Sequence, residues 1–239
     1  MSAPASPFVI FGAGGLGREL LGWIACCAEP TRARYRVESF ISECADVGTT
    51  CHGVPVVGVH AYAGRTPRYI IAIAEPLEKK RVALMLGALG WVPEIFIHDT
   101  AAVGLAAEIG PGTVICPRCC ISSDCHIGAH VLVNSASGVG HDVVVGDYTT
   151  LLGSVSLNGN VQVGEGALFG AGSMVYPAKK IGAWARVGLG SVVLRNVPAH
   201  VTVFGNPAQR LAGNEKKRST SNADMPLSPP SVTSKPITT

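Results

Sequence analysis

Charge is scarce in this sequence. Of its 239 residues 15% are Asp, Glu, Lys or Arg and 47% are hydrophobic, the balance of a globular chain rather than a disordered one. The formal net charge is only +3, and a net +2 of it falls in the segment 213–239, where Lys216, Lys217, Arg218 and Lys235 face Glu215 and Asp224. The body is left near neutral, which removes the electrostatic case for nucleic acid or an anionic membrane as partner. The opening MSAPASPFVIFGAGG has no basic segment, and its apolar run is short and broken by glycine. Neither a secretory signal nor a membrane span is expected, and the expected address is the cytoplasm. The eight cysteines are read accordingly as reduced thiols packed as small apolar groups, not as a disulfide framework.

What is present falls into two textures. Phe8 to Phe11 read as a short buried strand, Gly12, Gly14, Gly15 and Gly17 as a tight turn, and RELLGWIACC as a helix. Further strands are expected at Arg36 to Ile41 and Arg68 to Ile73, and a further helix from about Glu75 to Leu89. Such alternation predicts a small parallel sheet flanked by helices.

From Val103 the pattern acquires a period of six. Aliphatic residues or Phe occupy every sixth position from Val103 to Val193, sixteen in succession without an insertion. Four residues after each, the occupant is usually small or β-branched, as at Ala107, Thr113, Cys119, Ser137, Thr149, Ala167, Ser173 and Ser191. Glycine also recurs every eighteen, at Gly110, Gly128, Gly146, Gly164 and Gly182. These features predict a triangular solenoid, one hexapeptide per face and three per coil. The large residue fills the core, the small one fits where the chain rounds the corner, and the glycines are expected to supply turn conformations closed to residues with a Cβ. With stacked strands about 4.8 Å apart, five coils give a prism about 25 Å long. After Pro198, HVTVFGNPAQRL reads as a closing strand and loop, and 213–239 as a disordered tail.

Three groups of residues are candidates for chemistry. Gly12, Gly14 and Gly17 have G-x-G-x-x-G spacing in a strand, turn and helix context, with Glu43 after the second strand, which suits a phosphate at a helix N-terminus. Only about ninety residues precede the repeats, room for one mononucleotide-binding half rather than the two that grip NAD. The reading is therefore a nucleotide or nucleotide-sugar, with a purely structural glycine turn and an NAD site as the alternatives. Cys116, Cys119, Cys120 and Cys125-His126 resemble zinc ligands in spacing. The register instead turns Cys119 and Cys125 inward and sends Cys116 and Cys120 elsewhere, so no metal is expected. His141 is outward by phase and is followed by Asp142. A solenoid has a sealed interior and must do its chemistry outside, which makes this pair the candidate for proton transfer.

The segments VIFGAGGLGREL, NSASGVGHDVVVGDYTTLLGSVSLNGNVQVGEGALFGAGSMVYP and FGNPAQRL make residues 8–212 resemble the hexapeptide-repeat nucleotide-sugar acetyltransferases. That group includes sialic acid O-acetyltransferases and the N-acetyltransferases of bacillosamine and perosamine precursors. The resemblance implies a half-Rossmann α/β domain over 1–97 that holds the nucleotide-sugar, followed over 98–212 by a left-handed parallel β-helix that holds acetyl-CoA. It further implies active sites between neighbouring subunits of a homotrimer. Matched residue by residue, His141 is the general base, Asp142 raises its basicity, and the Gly159 amide meets the thioester oxygen. Gly14, Gly15, Leu16, Ser42, Glu43 and Ala74 line the sugar-nucleotide pocket, while Thr150, Ala171 and Leu189 contact coenzyme A. The sequence departs from the family where a pair of Asp often follows the second strand, here Ser42-Glu43, and where a Gly-Asn or Gly-Asp pair follows the third, here Ala74-Glu75.

The function this implies is N-acetylation, by acetyl-CoA and without a metal, of the C4 amino group of a nucleotide-linked amino-dideoxyhexose used in surface polysaccharide assembly. GDP-perosamine and UDP-4-amino sugars belong to that class. O-acetylation of a sialic acid, and a catalytically silent nucleotide-binding scaffold, are the alternatives.

Overall fold

A computed structural model describes residues 7–44 and 46–211. The expected disordered tail over 213–239 lies outside the described residues.

The first part is a twisted sheet with helices against it. Strand β1 (Phe8–Phe11) leads into helix α1 (Gly15–Cys26), the short α2 (Glu29–Arg34) and β2 (Val37–Ile41). A hairpin, β3 (Thr50–Cys51) and β4 (Val54–Val57), precedes β5 (Arg68–Ile71), α3 (Pro76–Ala88) and β6 (Val92–Pro93). The sheet order is β3-β4-β2-β1-β5-β6, with only β3 antiparallel. β1 is buried along its whole length, FVIF, and lies between its parallel partners β2 and β5. That continuous apolar run is the signature of a strand covered on both faces. Helix α1 begins three residues before the expected Arg18, directly at the glycine turn, and the β3-β4 hairpin and α2 had no periodic signal to announce them. Among the described residues no helix is long and apolar enough to cross a membrane.

From Phe96 the chain winds as a parallel β-helix of two-residue strands. The first face stacks Phe96–Ile97, Val114–Ile115, Leu132–Val133, Thr150–Leu151, Leu168–Phe169 and Arg186–Val187. Strands from Ala102–Val103 to Val192–Val193 make the second face, and strands from Glu108–Ile109 to Lys180–Ile181 the third. Partners across coils are eighteen residues apart, as at Val114 with Leu132. Every sixth residue from Ile115 to Val193 is buried, whereas Val103 and Ile109 lie in the first coil and are partly open because no coil covers that end. The closing segment Thr202–Phe204 pairs parallel to Arg186–Val187 and antiparallel to Gln209–Arg210.

The corners correct one expectation. From Ala106 to Gly190 each corner ends on a residue in left-handed conformation, and most of these carry side chains: Ala106, Arg118, Asp124, His130, Ala136, Asp142, Tyr148, Ser154, Asn160, Ala178 and Trp184, like His200 further on, have φ between 53° and 61°. The glycines spaced by eighteen do not supply these turns. They sit one residue after the inward position, where a Cβ on Gly146 would stand 2.6 Å from the Glu165 amide nitrogen of the next coil. Close approach of successive coils, not positive φ, requires glycine there.

The three faces differ in what covers them. On the first face the outward residues Val114, Leu132 and Thr150 are buried beneath the N-terminal unit, whereas on the third Glu108, His126, Val144, Gln162 and Lys180 are exposed. Helix α3 and the residue before it make the contact: Lys79 Nζ donates to Thr149 O at 3.2 Å, Lys80 pairs with Glu165 at 2.6 Å, and Glu75 pairs with Arg186. Tyr69 of β5 stacks on His130, and His130 on Tyr148, along the adjoining corner. Burial of His130 and the nearby Lys79 charge, opposed by Asp147, lower its pKa to about 4.

Candidate active site and nucleotide pocket

His141 and Asp142 form the corner between the second and third faces. Val139 points into the core and Val143 is buried after the turn; of the three residues between them, His141 and Asp142 are exposed and project outward. Asp142 takes the left-handed corner conformation, φ 58°, which Asp and Asn adopt more readily than most side chains. From there its Oδ2 lies 2.7 Å from His141 Nδ1. That bond assigns the proton to Nδ1 and leaves the Nε2 lone pair as the acceptor. The pair is open to solvent, with side chains 64% and 54% exposed.

One coil further on, at the same corner, is Gly159. It adjoins the His141 ring so closely that a Cβ there would stand 2.5 Å from Nε2. Backbone bonds hold the two coils together at this place: Asn160 N–H donates to His141 O at 2.9 Å, and Ala178 N–H donates to Gly159 O at 2.9 Å. Among the described residues the Gly159 N–H has no acceptor. A base nitrogen and a free backbone donor thus share one corner, the two groups that addition of a nucleophile to a carbonyl requires.

The six candidate nucleotide-pocket residues come from the segments that follow the carboxyl ends of β1, β2 and β5, with Gly15 and Leu16 in the first turn of α1. These strands are adjacent in the sheet, and the loops are tied by Gly12 N–H to Ile41 O and Ala72 N–H to Phe11 O, each 2.8 Å. Ligands of open α/β sheets bind at such an edge. Gly12 has φ +107°, and Gly17 packs against the Gly12 carbonyl where no Cβ fits. Gly14, the residue before α1, and Gly15, its first, have open space around them and leave the helix N-terminus accessible. Ser42 is buried and its hydroxyl donates to Asp46 at 2.6 Å, while Glu43 is exposed and paired with Arg81. Ser42 and Glu43 line an open cavity of about 540 Å³ with Val47, His60 and Met85. Leu16 and Ala74 are partly buried against the core.

Ala171 and Leu189 stack on consecutive coils at the corner between the first and second faces, joined by Gly190 N–H to Ala171 O at 2.9 Å, and Leu189 is exposed. Thr150 departs from the expectation of a coenzyme contact. It lies on the covered first face, is fully buried, and its hydroxyl donates to Ala74 O at 2.7 Å and accepts from Lys79 Nζ at 2.8 Å. Its surroundings are the N-terminal unit, with no surface left for a coenzyme.

Cys119 and Cys125 point inward as the register predicts, their thiols donating to main-chain carbonyls, with Cys125 Sγ 3.0 Å from Gly140 O. Cys116 is buried under α1, where burial first and the charges of Cys119 and Glu19 next push its thiol pKa up. Lys79, His130 and Tyr148 were not singled out from the sequence. A signal for them existed in the outward positions sorted by face, apolar at Val114 and Leu132 and polar at Glu108, His126 and Gln162.

No family model matches the chain. An acyl-[acyl-carrier-protein]–UDP-N-acetylglucosamine O-acyltransferase of Pseudomonas paraeruginosa is 39% identical over 88 residues, 37% of this chain and 34% of that one. The match therefore spans about a third of the length of such curated relatives. The GDP-perosamine N-acetyltransferase of Escherichia coli is 32% identical over 210 residues, 84% of this chain and 95% of that one. Among solved structures, a histidine-to-asparagine variant of perosamine N-acetyltransferase from Caulobacter crescentus, in complex with CoA and GDP-perosamine, aligns with TM-score 0.79 and 28% identity. That alignment covers 89% of this chain and 100% of the other.

Proposed function

Because this chain belongs to the hexapeptide-repeat acyltransferase family that contains GDP-perosamine N-acetyltransferase, we propose that it transfers the acetyl group of acetyl-CoA to the C4 amine of a nucleotide-linked amino-dideoxyhexose. The carrying observation is the corner at which His141 Nε2 adjoins Gly159, whose N–H has no acceptor.

In this reading the amine nitrogen attacks the thioester carbon. The C–N bond forms, the C–S bond breaks, and His141 takes the proton that the nitrogen loses. Asp142 holds the imidazole through Nδ1 and stabilises its cation, and the proton then passes to the departing coenzyme A thiolate. The Gly159 N–H donates to the oxyanion. Gly14, Gly15, Leu16, Ser42, Glu43 and Ala74 hold the nucleotide-sugar, and Ala171 and Leu189 contact coenzyme A. As a user of these co-substrates the protein is assigned to the cytoplasm.

The same reading divides the chain into a nucleotide-sugar unit to residue 97 and a left-handed β-helical acyltransferase unit over 98–212. It also makes the protein a homotrimer. In one chain the N-terminal unit covers the first face, while His141 stands at the opposite corner, between the other two. A neighbouring copy is needed to bring a glycine loop to His141, and cyclic assembly provides one at each corner.

Incubating the protein with acetyl-CoA and UDP-, GDP- and dTDP-linked 4-amino sugars tests the reading by thiol release and product mass. Thiol release with one amino sugar and a product resistant to hydroxylamine is expected. A hydroxylamine-labile product would assign O-acetylation, and nucleotide binding without any thiol release would make the chain a scaffold.

A further inference from the structure

Two polar side chains are sealed between the N-terminal unit and the β-helix. Lys79 is 2% exposed and Thr150 is 0% exposed. Burying an ammonium and a hydroxyl costs stability unless every donor finds a partner, and apolar side chains would fill such a seam at lower cost. Here the hydroxyl and two of the Lys79 N–H groups have partners. Lys79 Nζ donates to Thr149 O at 3.2 Å and to Thr150 Oγ1 at 2.8 Å, and Thr150 Oγ1 donates to Ala74 O at 2.7 Å. The chain of bonds ends on the loop after β5, whose next residue, Glu75, pairs with Arg186 of the same face. The outward neighbours of Thr150 on that face, Leu132 and Leu168, cannot donate to a carbonyl.

We propose that Thr150, supported by Lys79, is a positioning residue for the nucleotide-sugar pocket. Its hydroxyl fixes the carbonyl of Ala74 to the β-helix wall and so sets where the loop after β5 stands relative to the glycine loop. The inference rests on the nucleotide-sugar reading of that sheet edge. It gives Thr150 a role in the sugar-nucleotide half of the site, 71 residues along the chain from Lys79, in place of the coenzyme half that the family resemblance implied.

Calorimetric titration of GDP, UDP, dTDP and CoA into the full chain, as wild type, Thr150→Val and Thr150→Ser, tests this. Thr150→Val keeps the shape and removes the donor. The dissociation constant of the diphosphate that the wild type binds should rise roughly tenfold, the worth of one hydrogen bond between a loop and its support, with that of CoA within twofold. Thr150→Ser keeps the hydroxyl and should restore binding. Weaker CoA binding with an unchanged diphosphate would return Thr150 to the coenzyme site and overturn the proposal, as would equal diphosphate affinity in all three proteins. Should Thr150→Val fail to fold, Thr150→Ser still decides, because loss of diphosphate affinity with the hydroxyl present contradicts the proposal. A wild type that binds CoA but none of the three diphosphates would sink the nucleotide reading as well.

Discussion

His141 on one coil and Gly159 on the next are matched so closely that a Cβ on the glycine would stand 2.5 Å from the histidine Nε2. The atoms in conflict belong to a half-exposed side chain, so Gly159→Ala should leave Tm within a few degrees while the ring swings out of place. Turnover should fall about tenfold to a hundredfold, as for an ångström-scale misplacement of a reacting group. Unchanged turnover would show that the ring position next to Gly159 is irrelevant.

Replacing the pair itself separates base from support. His141→Asn should retain the fold and lower turnover by roughly 10²- to 10⁴-fold, the usual worth of a positioned general base. Asp142→Asn keeps a residue suited to the left-handed corner and should cost only about tenfold to a hundredfold, because it removes the charge beside the imidazolium and not the proton acceptor. Similar, small effects at both positions would remove His141 from the reaction.

A clash with backbone should behave differently from one with a side chain. At Gly146 the conflicting atoms are the Glu165 nitrogen at 2.6 Å and the Gly164 carbonyl carbon at 2.7 Å. Gly146→Ala should therefore force the coils apart and cost about 1–3 kcal/mol, visible as a lowered Tm in thermal melts. A melt indistinguishable from wild type would mean that the coil spacing is more compliant than the close approach implies.

The His130 column should shape stability in acid. The pKa of His130 is lowered from 6.5 to about 4, chiefly by burial. Between those values the unfolded chain binds a proton that the folded one refuses, so stability rises with pH across that window and is lost as pH falls through it. The loss should approach about 3 kcal/mol at the bottom of the window. His130→Phe preserves a ring at a corner conformation that Tyr148 and Trp184 also adopt. Its urea midpoint should fall less between pH 6.5 and 4 than that of the wild type, and parallel curves would contradict the assignment.

Lys79 should act in the alkaline range with the same sign. Burial, opposed by Glu75, lowers its pKa from 10.5 to about 7. Above pH 7 the unfolded lysine keeps a proton that the buried one releases, so its contribution improves as pH rises toward 10.5. The stability difference between Lys79→Met and wild type should accordingly shift in favour of the wild type from pH 7 to 10, by urea titration. A difference independent of pH would show that the ammonium stays charged in the fold.

The β-helix was legible because it is nearly one-dimensional: Ile115 meets Val133, and Val133 meets Leu151, at fixed intervals of eighteen, so each coil rests on its neighbours and a period of six suffices to announce it. The same locality made His141 and Asp142 legible, since phase alone turns them outward at a corner. The reason for the spaced glycines was not legible, because pattern cannot distinguish a residue that needs positive φ from one that needs room for the next coil. The apolar outward residues Val114 and Leu132 pointed to a covered face, but no pattern said what would cover it. That depends on Lys79 of α3 and Glu75 before it reaching Thr150 and Arg186 across 71 and 111 residues of chain, contacts that no local period encodes. The sequence by itself determined the winding and the outward histidine. Only the tertiary structure decided that Thr150 is sealed beneath Ala74 and Lys79, because burial at a seam is a property of two surfaces and each is written in a different part of the chain.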